Sequence, residues 1–230
     1  WQCTLITEEC AEQAFHTDIC PIYQMPAYHH LLLDKLCWGK DKALYQFAKQ
    51  MVDINTFDLI FCSSYYYFPL YAAHLLAQEY HIPLAIDLRD IAEQWGEAAY
   101  FTRKLTPFKK LNYWIGKIYE RKQLRVRNRI LRSANIVTSV SPWHQNILAK
   151  YNANTHLIYN GYDANVFVPK DLICDYFYIT YLGKLYSTQL RDPRMLFEAL
   201  RQLTSEEKID SKHVRVLLHT DPNGMPPLQE

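Results

Sequence analysis

The sequence predicts a doubly wound α/β fold, and three observations carry that expectation. Short runs of apolar and β-branched residues alternate with segments in which apolar residues recur at helical spacing. The short runs are almost continuously apolar rather than alternating, as strands covered on both faces of a parallel sheet are. Caps and turn residues, above all Ser141-Pro142 and Asn160-Gly161, separate one kind of segment from the other.

Taken in order, Cys3–Thr7 is the first expected strand, and a loose aromatic stretch follows to about Lys40. Leu44, Phe47, Ala48 and Met51 define one face of a helix over Asp41–Val52. Phe57–Cys62 is apolar throughout and is expected to be a strand buried on both sides. A turn through Ser63–Pro69 leads to a helix over Leu70–Tyr80 and a strand over Ile82–Asp87, with Pro83 near its start, where a missing N–H is tolerated. Asn135–Val140 is the next strand. Ser141 caps a short helix that begins with Pro142 and carries Ile147, Leu148 and Tyr151. Thr155–Tyr159 is a further strand, and Asn160-Gly161 is expected to supply positive φ for a tight exit. Strand Phe177–Leu182, helix Met195–Leu203 and strand His213–Leu218 complete the pattern.

Composition narrows the function classes. The 230 residues suffice for one large or two small domains, and 49% are hydrophobic, which is ordinary for a globular protein. No signal-peptide pattern opens the sequence, and no apolar run approaches the ~18 residues of a membrane helix. The six cysteines, at 3, 10, 20, 37, 62 and 174, show no C-x-x-C spacing. Reduced thiols in a cytoplasmic protein are the favoured reading over disulfides or metal ligation. The nine histidines form no H-E-x-x-H and no ligand cluster, so no metal site is expected. The absence of G-x-S-x-G, of a P-loop and of G-x-G-x-x-G argues against hydrolase, NTPase and dehydrogenase readings.

Two stretches give a resemblance. Ser-Ala-Asn-Ile-Val-Thr-Ser-Val-Ser (133–141) and Ile-Tyr-Asn-Gly-Tyr-Asp-x-x-x-Phe-x-Pro (158–169) resemble the interdomain crossing of family 4 glycosyltransferases of the GT-B fold. In that family the next strand opens the donor domain and is followed by Gly and then Lys or Arg; here Gly183-Lys184 follows Phe177–Leu182. The resemblance implies a Rossmann-like acceptor-side domain over 1–161, a linker over 162–176 with Asn160 and Gly161 as the hinge, and the beginning of a nucleotide-sugar-binding domain over 177–230. It implies a truncated second domain, and a first strand with its glycine-rich turn missing at the front, since no glycine precedes Gly39. A short natural variant is the alternative.

Active sites of open α/β sheets lie at the carboxyl ends of strands. Asp87-Leu88-Arg89-Asp90 sits at such an end, and charges directly after a buried strand are costly unless they pair or face a cleft. The resemblance implies that this loop lines the interdomain cleft, where the family often carries a histidine; Arg89 stands in that place. Asp90 and Arg89 are then the expected catalytic residues, Asp90 accepting a proton from the acceptor hydroxyl or orienting it, and Asp87 is expected in the acceptor cleft. The competing reading is an Asp87–Arg89 or Arg89–Asp90 pair capping the following helix. Gly183 and Lys184 are expected to contact the donor diphosphate, and Arg191 stands in for a second basic residue of the family. The family's acidic donor-binding motif is absent from these residues. A retaining transfer from a nucleotide-diphosphate sugar to a sugar or lipid-linked hydroxyl acceptor follows from the resemblance, with no resident cofactor, in cell-surface polysaccharide or glycolipid synthesis. A non-catalytic membrane- or polymer-binding α/β module is the alternative.

Charge is uneven. The chain has 25 basic and 24 acidic residues, yet Arg103–Arg132 holds eleven Lys or Arg and a single acid, Glu120. Phe108, Leu111, Trp114, Ile115, Ile118 and Tyr119 form an apolar stripe within this segment, and Lys109, Lys110, Lys117, Lys122, Arg125, Arg127 and Arg129 surround it. Two readings fit. Lys109, Lys110, Trp114 and Lys117 meet an anionic membrane surface peripherally, at the inner face, or the stripe packs on the sheet and the charges are solvated. Nucleic acid is disfavoured because the aromatics lie on the stripe rather than among the basic residues.

Overall fold

The computed structural model describes residues 2–9, 19–30, 37–64, 67–95, 108–169, 174–183, 185 and 192–220. The chain divides into two compact units, Trp1–Gly161 and Tyr162–Glu230.

The first unit holds two parallel sheets. Strands β1 (Leu5–Glu8) and β2 (Ile22–Met25) pair in one. Strands β3 (Ile60–Ser64), β4 (Leu84–Leu88), β5 (Ile136–Ser139) and β6 (Thr155–Leu157) run in that order in the other. Helices α1 (Gly39–Met51), α2 (Leu70–Tyr80), α3 (Lys109–Ser133) and α4 (Pro142–Leu148) alternate with the strands. This is the expected doubly wound arrangement.

The core gathers around β4. All five of its residues are buried, and Leu84, Ile86 and Leu88 pack with Leu70, Ile130, Leu131, Val137 and Leu148. Asn135 sets the register at the entry of β5: its side-chain oxygen accepts from the Leu84 N–H at 2.9 Å, and its own N–H donates to the Leu84 carbonyl at 2.9 Å. Asn152 closes the far end of α3 by donating to the carbonyls of Leu131 and Ala134 at 2.8 and 2.7 Å. The Leu131 carbonyl also accepts from the Ala134 N–H at 3.3 Å, so the amide adds to the capping of the last turn.

A buried carboxylate joins α1 to α2. Asp41, in the first turn of α1, accepts from the N–H groups of Tyr71 and Ala72 at 3.0 and 3.1 Å. It satisfies two orphan donors at the start of α2 and lies at the favourable end of that helix's dipole.

Several expectations need correction. The aromatic stretch before residue 40 contains β2, a four-residue strand too short to show periodicity. Phe57–Cys62 is not covered on both sides: β3 is the edge strand of its sheet, and Phe61 is 63% exposed. A cavity of about 510 Å3 lies beside it, lined by Leu5 and Ile6 of β1, Ile60 and Cys62 of β3, and Leu44 and Leu76 of the helices. Cys3 is exposed just ahead of β1, and Met51 is exposed at the last position of α1. The left-handed residues among those described are Trp38, His81, Glu207 and Gly183, so Asn160 and Gly161 supply no positive φ. Residues 158–163 have no regular structure, and no tight turn there demands that conformation.

In the second unit β7 (Phe177–Leu182) and β8 (Val214–His219) pair in parallel, with helix α5 (Arg194–Ser205) between them in sequence. No residue of α5 is buried.

Candidate functional site

The carboxyl ends of β4 and β5 bring together the charged residues singled out in the sequence. Asp87, buried near the end of β4, faces Thr138 across the strand pair, and the threonine hydroxyl donates to its Oδ1 at 2.7 Å. Ser139, fully buried, donates from its hydroxyl to the Leu88 carbonyl at 2.7 Å. The two hydroxyls fix the strand end from which Arg89 and Asp90 emerge, a use of side-chain hydrogen bonds where the ladder stops.

Arg89 is exposed. One guanidinium nitrogen lies 3.7 Å from Asp87 Oδ2, and the other donates to Asn160 Oδ1. An Asp87–Arg89 ion pair is therefore present, and it is not a helix cap: Arg89 bridges the end of β4 to the segment that leaves the first unit. Gly161, the last residue of that unit, has open space where a side chain would stand.

Asp90 is half-buried and faces a short 3-10 turn, Ala92–Trp95. The Gln94 amide donates to its Oδ1 at 2.6 Å, while the Gln94 oxygen accepts from His144 Nε2 at 2.9 Å. Asp90, Gln94 and His144 thus form a chain from the end of β4 to the first turns of α4. Ser141 caps α4 as its sequence suggests, accepting from the His144 N–H at 3.2 Å with Pro142 at the first helical position. Burial holds His144 below the ordinary imidazole range, against the opposing pull of Asp90 and Glu93.

The 3-10 turn is anchored from behind. Arg127 of α3 is 2% exposed and grips Glu93 with two nitrogens, at 2.7 and 2.6 Å. Burial pushes the Glu93 carboxyl up, but the Arg127 hydrogen bonds and charge outweigh it and hold the group below the usual carboxylate range. Asn128 accepts from the same guanidinium at 3.0 and 2.8 Å. Arg127 therefore does not belong to the solvated charges of its segment. Sequence reading missed it because ten other cations surround it in one stretch, and its acid lies 34 residues away.

Helix α3 is continuous over 25 residues, and its two halves differ. Gln123, Arg127, Ile130 and Leu131 of the second half are buried; Trp38 donates to the Gln123 side chain at 3.1 Å. At the other end Phe108, Leu111, Trp114 and Ile118 are exposed, and so is Lys110. Lys117 lies 3.4 Å from Glu120, and Lys109 is the first residue of the helix.

Of the residues expected at the donor phosphate, Gly183 directly follows β7 with φ 148°, a conformation that favours glycine, and its N–H donates to the His219 carbonyl at 3.1 Å. Lys184 and Arg191 lie outside the described residues. Among the described residues no three His, Cys, Asp or Glu come together as a metal-ligand group. No helix among them is long and apolar enough to cross a membrane.

Comparison with known proteins adds the following. The structure is similar to the Anabaena Alr3699/HepE protein in complex with UDP-glucose, at 17% identity over 90% of this chain, with a TM-score of 0.43. The same protein with UDP and glucose, and with UDP, matches at TM-scores of 0.42 and 0.45. The chain spans 57–58% of the length of those structures. No curated protein matches the chain. The model of Glycosyltransferase Family 4 matches residues 1–166. That match takes in both sheets of the first unit, the cluster at the ends of β4 and β5 and the exit at Asn160-Gly161, and the chain belongs to Glycosyltransferase Family 4.

Proposed function

We propose that the chain supplies the acceptor-side domain, and after a linker over 162–176 the opening of the donor domain, of a retaining glycosyltransferase. The enzyme would move a sugar from a nucleotide-diphosphate sugar to a hydroxyl acceptor in cell-surface polysaccharide or glycolipid synthesis. One observation carries the reading. Asp87, Arg89 and Asp90 gather at the carboxyl ends of two adjacent parallel strands, and Arg89 reaches from there to Asn160 at the exit of the unit. Charges so placed are where an open α/β sheet meets its ligand.

Each residue has a task in that reaction. Asp90 orients the acceptor hydroxyl and receives its proton. Arg89 acts beside it as the second catalytic residue, and Asp87 shapes the acceptor cleft. Gly183 lets the backbone approach the diphosphate, and Lys184, with Arg191, sets positive charge against the developing negative charge of the leaving group. The nucleotide sugar is a co-substrate, and the reaction calls on no resident cofactor. In steady-state assays of the full-length protein, Asp90→Asn is expected to lower kcat by about 10²-fold, within the usual range for a proton-transferring group. Lys184→Ala is expected to cost about as much, as loss of a charge on the leaving group does. Wild-type turnover by either variant removes that residue's assignment.

The rival is a membrane- or polymer-binding module without donor chemistry, and the exposed start of α3 favours a membrane surface in either case. Leu111, Trp114 and Ile118 lie on one side of that helix, and Lys110 and Lys117 stand in the same turns. Each basic residue near an anionic leaflet contributes ~1 kcal/mol. The protein would then sit at the inner face of the membrane. Calorimetry with UDP and GDP separates the readings. Saturable nucleotide binding by the full-length protein favours the enzyme, whereas binding to phosphatidylserine vesicles alone favours the module. Trp114→Ser is expected to weaken vesicle binding, and unchanged co-sedimentation would remove the membrane face.

A further inference from the structure

We propose that Gln94 and His144 are positioning residues that hold Asp90 in one orientation through a directed hydrogen-bond relay. The inference rests on the reading of Asp90 as the residue that meets the acceptor hydroxyl.

The geometry fixes the direction of the relay. Gln94 presents its amide N–H to Asp90 Oδ1 at 2.6 Å and its oxygen to His144 Nε2 at 2.9 Å. An amide oxygen only accepts, so His144 must carry its proton on Nε2. That tautomer leaves Nδ1 as a bare acceptor, and Nδ1 is buried with no hydrogen-bond partner among the described residues. An orphaned buried nitrogen is costly, and a task for the other ring nitrogen would explain why the cost is borne. Its task here is to keep the Gln94 amide from turning over. A turned amide would aim oxygen at the Asp90 carboxylate, acceptor against acceptor.

The surroundings keep the imidazole neutral. His144 is 7% exposed, and a second ring proton would be buried without an acceptor. The charged groups that act on it are Asp90 and Glu93, and Glu93 is already held by Arg127. The relay therefore keeps one arrangement from neutral pH upward. Its rigid backing is the Ser141 cap behind the His144 N–H and the Arg127–Glu93 pair beneath the 3-10 turn.

Two arms test the proposal. In the first, proton–nitrogen NMR of the chain follows the His144 ring and the Gln94 amide. His144 is expected as the Nε2–H tautomer. The Gln94 amide resonance is expected to move toward a free-amide position in His144→Leu and to return in His144→Gln, whose amide N–H can replace Nε2–H. One amide position shared by all three overturns the relay. In the second arm the full-length protein is assayed with UDP-glucose and octyl glucoside. His144→Leu and Gln94→Leu are expected to reduce transfer to the glucoside about tenfold, the order of effect of misplacing a reacting group, with hydrolysis of UDP-glucose unchanged and His144→Gln restored. Equal loss of transfer and hydrolysis means a merely structural role and overturns the positioning claim. Gln94→Leu, at a half-buried site outside α4, keeps the test open if His144→Leu does not fold. If the wild-type protein turns over neither substrate, the NMR arm alone decides the relay, and the functional reading is decided by the calorimetry with UDP and GDP.

Discussion

Arg127 has two neighbours that a single substitution would strand. With the guanidinium removed, Glu93 keeps its charge in a half-buried place with no cation. Arg127→Met is therefore expected to lower stability by about 3 kcal/mol, whereas the double change with Glu93→Leu is expected to recover most of it. Urea unfolding of the two variants checks this, and additive losses would contradict it. Two histidines add a pH dependence. Burial holds both His144 and His74 below the ordinary value, with Arg129 adding to the effect at His74. The unfolded chain then takes up protons first as pH falls, so the stability these residues contribute is complete above about pH 6.5 and declines below it. Glu93, also depressed, adds a further loss at lower pH, as its folded form is protonated. The urea midpoint is expected to fall between pH 7.5 and pH 5.5, and a flat profile would contradict the assignment. The Ser141 cap could be read directly, because serine followed by proline has a local mechanism. His144 could not: its partner lies 50 residues back, and nothing in the local sequence separates a relay histidine from a core one.

At the scale of elements, the carboxylate of Asp41 does for α2 what a local cap residue would do. It accepts from Tyr71 and Ala72 across 30 and 31 residues of sequence. Asp41→Ala leaves two donors at a buried helix start, and a loss of about 2 kcal/mol is expected in chemical denaturation; an unchanged midpoint would contradict the tie. Phe61 is the counterexample. It looks like core in an apolar run but is largely exposed on the edge strand, so Phe61→Ser is expected to change stability by less than about 0.5 kcal/mol. Helix α2 and strand β7 were legible to the residue, since their apolar spacing and turn signals coincide. Strand β2 was not, because four residues between prolines carry too little pattern. The positive φ expected at Asn160-Gly161 was wrong for a related reason. Dipeptide preference speaks of turns, and here the chain leaves without one while Asn160 serves Arg89 instead.

For the whole molecule, the parallel sheet, its strand order and the exit from the first unit together place Asp87, Arg89 and Asp90 at one strand end. Their gathering was legible, since three charges behind an apolar strand have few other places to go. What holds them was less so: Thr138 and Ser139 stand in the stretch that gave the resemblance, but only pairing of β5 with β4 shows that their hydroxyls lock the carboxyl end of β4. The same motif thus builds the fold and presents the cluster. The most direct test is a crystal structure of the full-length protein with UDP and a bound acceptor sugar. The acceptor hydroxyl is predicted within about 3 Å of the Asp90 carboxylate, hydrogen-bond distance. An acceptor seated away from the ends of β4 and β5, with Asp90 facing solvent alone, would contradict the account.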